Sequence, residues 1–329
     1  MKTVKAVAPY IYPGRQRDKS LDLLKAFAIF LVIWGHAIMH FRPNYEESIS
    51  FHVIYSFHMP LFMMLSGFFA TSSMKLGAVD FFSKKFKQLL LPCITWAIVC
   101  WLTISSGLIE GRFTLEIKDL FSGWLGLIDN FWFLKSCFIC YTVAWICSKT
   151  GKYKRLAFVL ALIASSTVGR FNLSMMFPSF VFGMILREYV NFAEKLYKYR
   201  YLAMALFLIM LTSSFYVNEK YYIMKLIIGF LGAYSCFALF KGSSAILSSE
   251  NIPSIIIRVG EKTLGIYVLQ AIILEYLVPM YIDTSDIQIM TIEMSLPILS
   301  LLLTLLLYWL CNLISMSKVL ACFAFGTNR

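Results

Sequence analysis

The sequence predicts an all-α polytopic membrane protein, a bundle of about ten transmembrane helices with both termini in the cytoplasm. Composition is the first reason, because 59% of the 329 residues are hydrophobic and only 15% are charged. A soluble protein of this composition would expose large apolar patches. The other two reasons are the lengths of the apolar runs and the distribution of the basic residues along the chain.

Ten apolar runs are long enough, or nearly long enough, to cross the hydrocarbon layer of a bilayer. They are predicted at 20–40, 51–71, 88–107, 131–148, 154–169, 173–190, 201–217, 221–240, 263–281 and 295–316. No segment between them has the composition of a separate soluble domain. The predicted organisation is a cytoplasmic segment over 1–19, a transmembrane domain over 20–316 and a cytoplasmic tail over 317–329.

The formal net charge of +12 follows the same topology. Most Lys and Arg residues fall in the N-terminal segment, in every second connection and in the C-terminal tail, whereas the opposite connections lean acidic. This alternation is the positive-inside pattern, and it assigns both termini to the cytoplasm. We therefore attribute the positive charge to membrane topology. The expected environment is a lipid bilayer, and no nucleic-acid partner is predicted.

The first apolar run, LDLLKAFAIFLVIWGHAIMH, contains four ionisable side chains, Asp22, Lys25, His36 and His40. Charged groups inside a bilayer are costly, so such groups indicate a functional site. Lys25 and His36 are eleven residues apart, which on an α-helix is about 16 Å of rise and within roughly 20° of three full turns. Asp22 is one turn before Lys25 and can pair with it. The four side chains therefore predict one polar seam along the helix; a snorkelling role for Lys25 stays open.

The second apolar run adds His58 to this group of polar residues. With His52, all four histidines of the chain fall on the first two predicted helices. Pro60 lacks a backbone N–H and is expected to bend the second helix. The small residues Ser66 and Gly67 are expected to let another helix approach closely.

Two other functions are compatible with the polar seam. A transporter or flippase for a polysaccharide precursor could line its pathway with these helices, although transporters commonly place carboxylates near the midplane and here only Glu275 lies deep in a late run. A metal site could form from His36 and His40 with Glu46 or Glu47, but the i,i+4 histidines lack a recognised ligand motif. No metal ligand is predicted.

Two motifs make the chain resemble acyltransferase family 3 of integral membrane O-acyltransferases: RDKSLDLLKAFAIFLVIWGH and, after it, FHMPLFMMLSGF. Within the family the resemblance is to the branch that acylates bacterial polysaccharides, including fucose 4-O-acetylase-like proteins. Weaker matches follow in the family's order: KKFKQLLLP, WFLKSCFICY, FPSFVFGMILREY and GEKTLGIYVLQ. The resemblance covers essentially the whole chain and implies a multi-pass protein of the bacterial plasma (inner) membrane.

The resemblance implies transfer of an acyl group, with acetyl as the expected group, from cytoplasmic acyl-coenzyme A to a hydroxyl of a cell-surface or lipid-linked carbohydrate. Acetyl-CoA is then the donor substrate, and no permanently bound cofactor is expected. In the family a basic residue, ten intervening residues and a histidine mark the first helix, and here these are Lys25 and His36. The family's basic pair before the third span corresponds to Lys85 and Gln88. Gln270 stands where many members have histidine and is assigned no catalytic role.

The chemistry of the residues fits this implied reaction. A sugar hydroxyl is a poor nucleophile until a base accepts its proton, and an imidazole titrates near neutral pH. The candidate catalytic residues are His36, Asp22 and His58. Lysines at the cytoplasmic mouth would attract the phosphates of the donor as point charges. These candidate donor-binding residues are Lys25, Lys84, Lys85 and Lys87. The oligomeric state stays open, with a homo-oligomer as one possibility.

The predicted topology can be tested with reporter fusions. A reporter inserted in the 108–130 connection should behave as external, and one inserted at 149–155 should behave as cytoplasmic, because the positive-inside pattern assigns them to opposite faces. Alkaline phosphatase activity and green fluorescence measure the two locations. A reversed result at either position would overturn the topology and the cytoplasmic position of the donor.

Overall fold

The computed structural model describes residues 19–106, 131–169, 172–215, 222–242, 253–274 and 289–326. Within these ranges the chain is helical and contains no β-strand, which confirms the predicted all-α class. The helices are α1 Lys19–Phe41, α2 Ile49–Phe68, α3 Thr71–Met74, α4 Ala78–Lys85, α5 Leu91–Ser105, α6 Trp132–Lys149, α7 Lys154–Ser166, α8 Leu173–Glu188, α9 Val190–Tyr197, α10 Arg200–Ser214, α11 Tyr222–Gly242, α12 Ser254–Glu261, α13 Thr263–Ile272, α14 Ile289–Ile314 and α15 Lys318–Phe325.

Each of the ten predicted apolar runs overlaps one of these helices. Within the described ranges, five helical stretches are long and apolar enough to cross a membrane on their own: Lys19–Phe41, Ile49–Phe68, Ala78–Thr103, Ile223–Lys241 and Ile289–Ile314. A sixth candidate is the pair α8 and α9, which is bent by 104°. The structure thus supports five or six membrane-capable helices, whereas the count of ten spans and the cytoplasmic placement of the termini stay predictions.

The chain divides into two compact units. The first comprises Met1–Leu31, His52–Lys75 and Cys140–Glu261, and the second comprises Val32–Phe51, Leu76–Ile139 and Lys262–Arg329. The helix α1 contributes its N-terminal half to the first unit and its C-terminal half to the second.

In the first unit, α2 and α8 approach each other at two glycines. A Cβ added to Gly67 would overlap the backbone of Phe180, and one added to Gly183 would overlap the backbone of Met64. Helices in a membrane gain little from apolar contact alone, so small residues that allow close backbone contact contribute much of the association. The prediction that Ser66-Gly67 admits another helix is therefore confirmed, and that helix is α8.

Another helix of the first unit, α11, packs against α2 at Pro60, where the bend expected from the sequence stays a prediction. Gly229 lies against the ring of Pro60 and the carbonyl oxygen of Ser56, and Gly232 lies against the side chain of Phe57. Pro60 cannot donate to Ser56, the residue four positions before it. The two glycines of α11 thus cover the part of α2 where the proline interrupts the backbone hydrogen bonds.

In the second unit, the C-terminal helix α15 packs against α5 and the segment before it. The indole Nε1–H of Trp96 donates to the carbonyl of Ala324 at 2.9 Å. Gly326 ends α15 with a φ of 64°, a conformation that favours glycine, and its Cα lies against the backbone of Lys87 and Gln88. These contacts fix the segment that contains three of the candidate donor-binding lysines, Lys84, Lys85 and Lys87.

The glycine contacts generate a stability prediction. Gly183→Ala should destabilise the protein by about 1–3 kcal/mol, because the new Cβ would meet backbone atoms of α2 that no side-chain rotation can move. Gly77→Ala is the matched control, since a Cβ there meets nothing within 4 Å. The midpoint of thermal unfolding in detergent measures the difference. Equal midpoints for the two variants would contradict the close packing of α2 and α8.

Candidate functional site

The structure brings Asp22 and Lys25 together, as the sequence predicts. Lys25 Nζ lies 3.3 Å from Asp22 Oδ1, with the side chains 24% and 4% exposed, respectively. The backbone of Gly260 in α12 packs directly against that of Asp22, which leaves no room for a Cβ. The carboxylate is thus held in a nearly dry position, where a nearby cation offsets part of its desolvation cost.

Lys25 also contacts an aromatic ring at the end of α2. Its ammonium lies 4.3 Å from the centre of the Phe69 ring, a distance at which cation–π attraction stabilises the charge. The neighbouring ring of Phe68 carries a second cation, since the guanidinium carbon of Arg187 is 5.3 Å from its centre. Two consecutive phenylalanines therefore hold two cations that are far apart in sequence.

His58 lies in the first unit and is buried, with 2% of its surface exposed. Its Nδ1 is 2.7 Å from the carbonyl oxygen of Ile54. Because a carbonyl can only accept, Nδ1 must donate in this contact, which leaves Nε2 as the acceptor in the neutral ring. The ring of Tyr55 meets it edge-on at 4.7 Å between centres. His58 is thus fixed in one orientation.

His36 lies in the half of α1 that belongs to the second unit, whereas Asp22, Lys25 and His58 belong to the first. The helix is continuous from Lys19 to Phe41, so the predicted rise of about 16 Å between Lys25 and His36 applies without interruption. His36 and His40 are both partly buried.

The structure separates the three lysines before the third predicted span. Lys85 is buried, with 5% exposed, and its ammonium donates to Gln88 Oε1 at 3.4 Å, whereas Lys84 and Lys87 are exposed. A π-helical turn over Phe86–Leu90 follows Lys85 directly. Single π-turns inside helices occur frequently at functional sites. The two residues that correspond to the family's basic pair, Lys85 and Gln88, are thus joined by a side-chain hydrogen bond.

Within the second unit, Arg42 forms an ion pair with Glu293, which no sequence pattern indicates. Arg42 Nε is 3.0 Å from Glu293 Oε1, with side chains 8% and 32% exposed, and the pair joins the end of α1 to the start of α14. The guanidinium also donates to the carbonyl of Asn44 at 2.5 Å. These contacts fix the end of the helix that carries His36 and His40.

Gln270 in α13 is buried with no exposed surface. Among the described residues, neither its amide nitrogen nor its amide oxygen has a hydrogen-bond partner. A buried polar group without a hydrogen-bond partner lowers the stability of the folded state by about 1–3 kcal/mol, so a glutamine in this position needs a structural or functional reason. The sequence assigns this position no catalytic role, and its place in the GEKTLGIYVLQ motif is the one sequence feature that marks it.

No cluster of three or more His, Cys, Asp and Glu residues that could hold a metal ion is found in the part of the chain that the structure describes. His36, His40, Glu46 and Glu47 all lie in that part. The described residues thus form an all-α protein with membrane-capable helices and with an Asp22–Lys25 ion pair in its first helix.

Comparison with known proteins identifies the class. A family model for an acyltransferase domain matches residues 18–316, and these residues include all seven candidate site residues. The chain belongs to this acyltransferase family, and the acyltransferase domain occupies nearly all of it.

Two relatives are proteins of rhizobia. The nodulation protein NolL of Mesorhizobium japonicum is 32% identical over 134 residues, which are 38% of this chain and 34% of the relative. The nodulation protein NolL of Sinorhizobium fredii is 34% identical over 88 residues, 25% of this chain and 24% of the relative. The chain thus matches about a third or less of the length of these relatives. No solved structure matches the chain.

Proposed function

We propose that the protein is an integral membrane O-acyltransferase of the bacterial plasma membrane. It transfers an acyl group, expected to be acetyl, from cytoplasmic acyl-coenzyme A to a hydroxyl of a cell-surface or lipid-linked carbohydrate. The observation that carries this proposal is the ion pair between the buried Asp22 and the partly buried Lys25 on the same helix as His36, within the matched acyltransferase domain. The family match also favours this function over a transporter; Glu275, the acid deep in a late run, lies outside the described residues.

The proposed reaction needs one base and one activated donor. His36 accepts the proton of the acceptor hydroxyl while the oxygen attacks the thioester carbonyl carbon. The carbon–sulfur bond breaks as the carbon–oxygen ester bond forms, and the coenzyme A thiolate leaves and takes up a proton. Because a thioester is already activated, the transfer can proceed without a covalent intermediate on the enzyme.

The other site residues support binding and orientation in this proposal. Lys25, held by Asp22, and the buried Lys85 attract the phosphates of the donor as point charges. Lys84 and Lys87 are exposed and can assist only as part of the surrounding positive field. His58, whose Nδ1–H is committed to Ile54, presents Nε2 as an acceptor that can orient a hydroxyl or a bound water.

The first test of the proposal concerns the donor. Lys25→Met should weaken binding of acyl-coenzyme A by roughly 10- to 100-fold, because a hydrogen bond to a charged group contributes about 1.5–3 kcal/mol. Lys198→Met is the matched control, since Lys198 is exposed and lies in a segment predicted to be on the same side of the membrane. Isothermal titration in nanodiscs measures the affinity. Equal affinities of two well-folded variants would reduce Lys25 to an interfacial anchor.

The second test concerns the base. His36→Asn retains hydrogen bonding but not basicity, and it should lower turnover by roughly 10²- to 10⁴-fold while donor affinity stays nearly unchanged. His40→Asn and His58→Asn should have smaller effects, because these residues are expected to orient the acceptor or the base. Transfer of labelled acyl groups to a purified carbohydrate acceptor measures the rates. Near-normal turnover of folded His36→Asn protein would remove this mechanism.

A further inference from the structure

A basic pocket opens at the ends of four helices of the first unit. Its volume is about 570 Å³. The lining comes from α3 and the residue that follows it, from the end of α6 and the start of α7, and from the end of α8. The lining residues are Thr71, Ser72, Met74, Lys75, Ser148, Lys154, Arg187 and Glu188. None of them is among the candidate residues that the sequence indicates.

The charges of this pocket favour an anionic ligand. Three of its side chains are cationic, and the one carboxylate, Glu188, is 3.3 Å from Lys154, so the pair offsets one positive charge and the lining stays net positive. Thr71 and Ser72 add hydroxyl groups that can donate to a phosphate. The hydroxyl of Ser148 instead donates to the carbonyl of Ala144 at 2.7 Å. Arginine beside lysine is a common combination for binding phosphate groups.

The size of the pocket favours a nucleotide over a single phosphate. Sites for small organic ligands and cofactors have volumes of about 300–1,000 Å³, and this pocket falls within that range. An isolated phosphate would leave most of the volume empty. The pocket therefore has room for a phosphorylated ligand as large as a nucleotide.

The pocket is connected to the candidate site through two aromatic rings. Arg187 lies over the ring of Phe68, and Lys25 lies over the ring of the next residue, Phe69. A ligand with its phosphates at Arg187 would therefore have Lys25 nearby, within the same unit. The three lining segments are also those that the positive-inside pattern assigns to the cytoplasm, where a soluble nucleotide ligand is available.

We infer that this pocket binds the phosphorylated nucleotide end of the acyl-coenzyme A donor, with Lys75 and Arg187 as its phosphate-binding residues. The inference rests on the proposed function for the identity of the ligand. Lys154 is held by Glu188 and shapes the wall between α7 and α8. The phosphates of the donor then extend from Lys75 and Arg187 toward Lys25.

Binding of adenosine 3′,5′-bisphosphate to the full chain in phosphatidylcholine nanodiscs tests the inference. Lys75→Gln and Arg187→Gln should each weaken binding about 5- to 20-fold, and Arg187→Lys should recover part of the loss. Lys152→Gln should leave the affinity unchanged, because Lys152 is exposed on the connection between α6 and α7 and does not line the pocket. Arg187 also packs on Phe68, so the thermal midpoint of each variant is measured, and Lys75→Gln serves as the variant without that contact. Equal affinities for Lys75→Gln and Lys152→Gln would overturn the inference.

Two further measurements complete the test. One distinguishes a nucleotide site from a lipid-headgroup site, and the other distinguishes failure of the pocket assignment from failure of the proposed function. The first repeats the titration in nanodiscs with phosphatidylglycerol: if the variants lose binding of this anionic lipid but keep binding of the bisphosphate, the pocket is a lipid-headgroup site and the inference is wrong. The second measures acyl transfer. An unchanged KM for acyl-coenzyme A in Arg187→Gln would contradict the inference and leave the proposed function intact. Bisphosphate binding that depends on Lys75, in a protein that transfers no acyl group, would instead contradict the proposed function and leave the pocket assignment standing.

Discussion

The ion pair between Asp22 and Lys25 organises the candidate residues that lie in the first unit. A carboxylate that is almost fully buried in an apolar helix is stable only if a cation and good packing offset its desolvation. Lys25 supplies the charge from one turn further along α1, and Gly260 packs closely against the backbone of Asp22. The pair also orients the lysine ammonium over Phe69, at the end of the helix that carries His58. Three contacts thus meet at this turn of α1: the ion pair itself, the cation–π contact with Phe69 and the backbone packing of α12.

The contacts that hold these helices together differ in kind from those of a soluble core. Close approach of α2 and α8 relies on glycines that lie against backbone, and another glycine, Gly229, lies against the ring of Pro60. Such contacts leave little freedom for the end of α2, where Phe68 and Phe69 hold the cations of Arg187 and Lys25. Rigid helix packing therefore positions the charged groups that we propose to lie on the donor side.

Local periodicity was sufficient for the parts of this structure that depend on one helix or one short motif. The i,i+3 spacing of Asp22 and Lys25 predicted their pairing, and the small residues at Ser66-Gly67 predicted a close helix contact, because both follow from helix geometry alone. The pocket of Lys75, Lys154 and Arg187 could not be predicted in this way, since its residues come from three segments that only the tertiary structure joins. The burial of Gln270 could not be predicted either, because the sequence does not show which side of α13 packs against other helices. The roles of His36 and the lysines stay predictions.

The central claim is that the protein adds an acyl group to a carbohydrate. Mass spectrometry of cell-surface polysaccharide tests it most directly, with material from cells that contain the protein, from cells that lack it and from cells in which it has been restored. We predict that the polysaccharide is still made without the protein but lacks one acyl mass, and that restoration returns that mass. Identical spectra from all three sources would contradict the claim, as would loss of the polysaccharide itself, which is the result expected for a flippase.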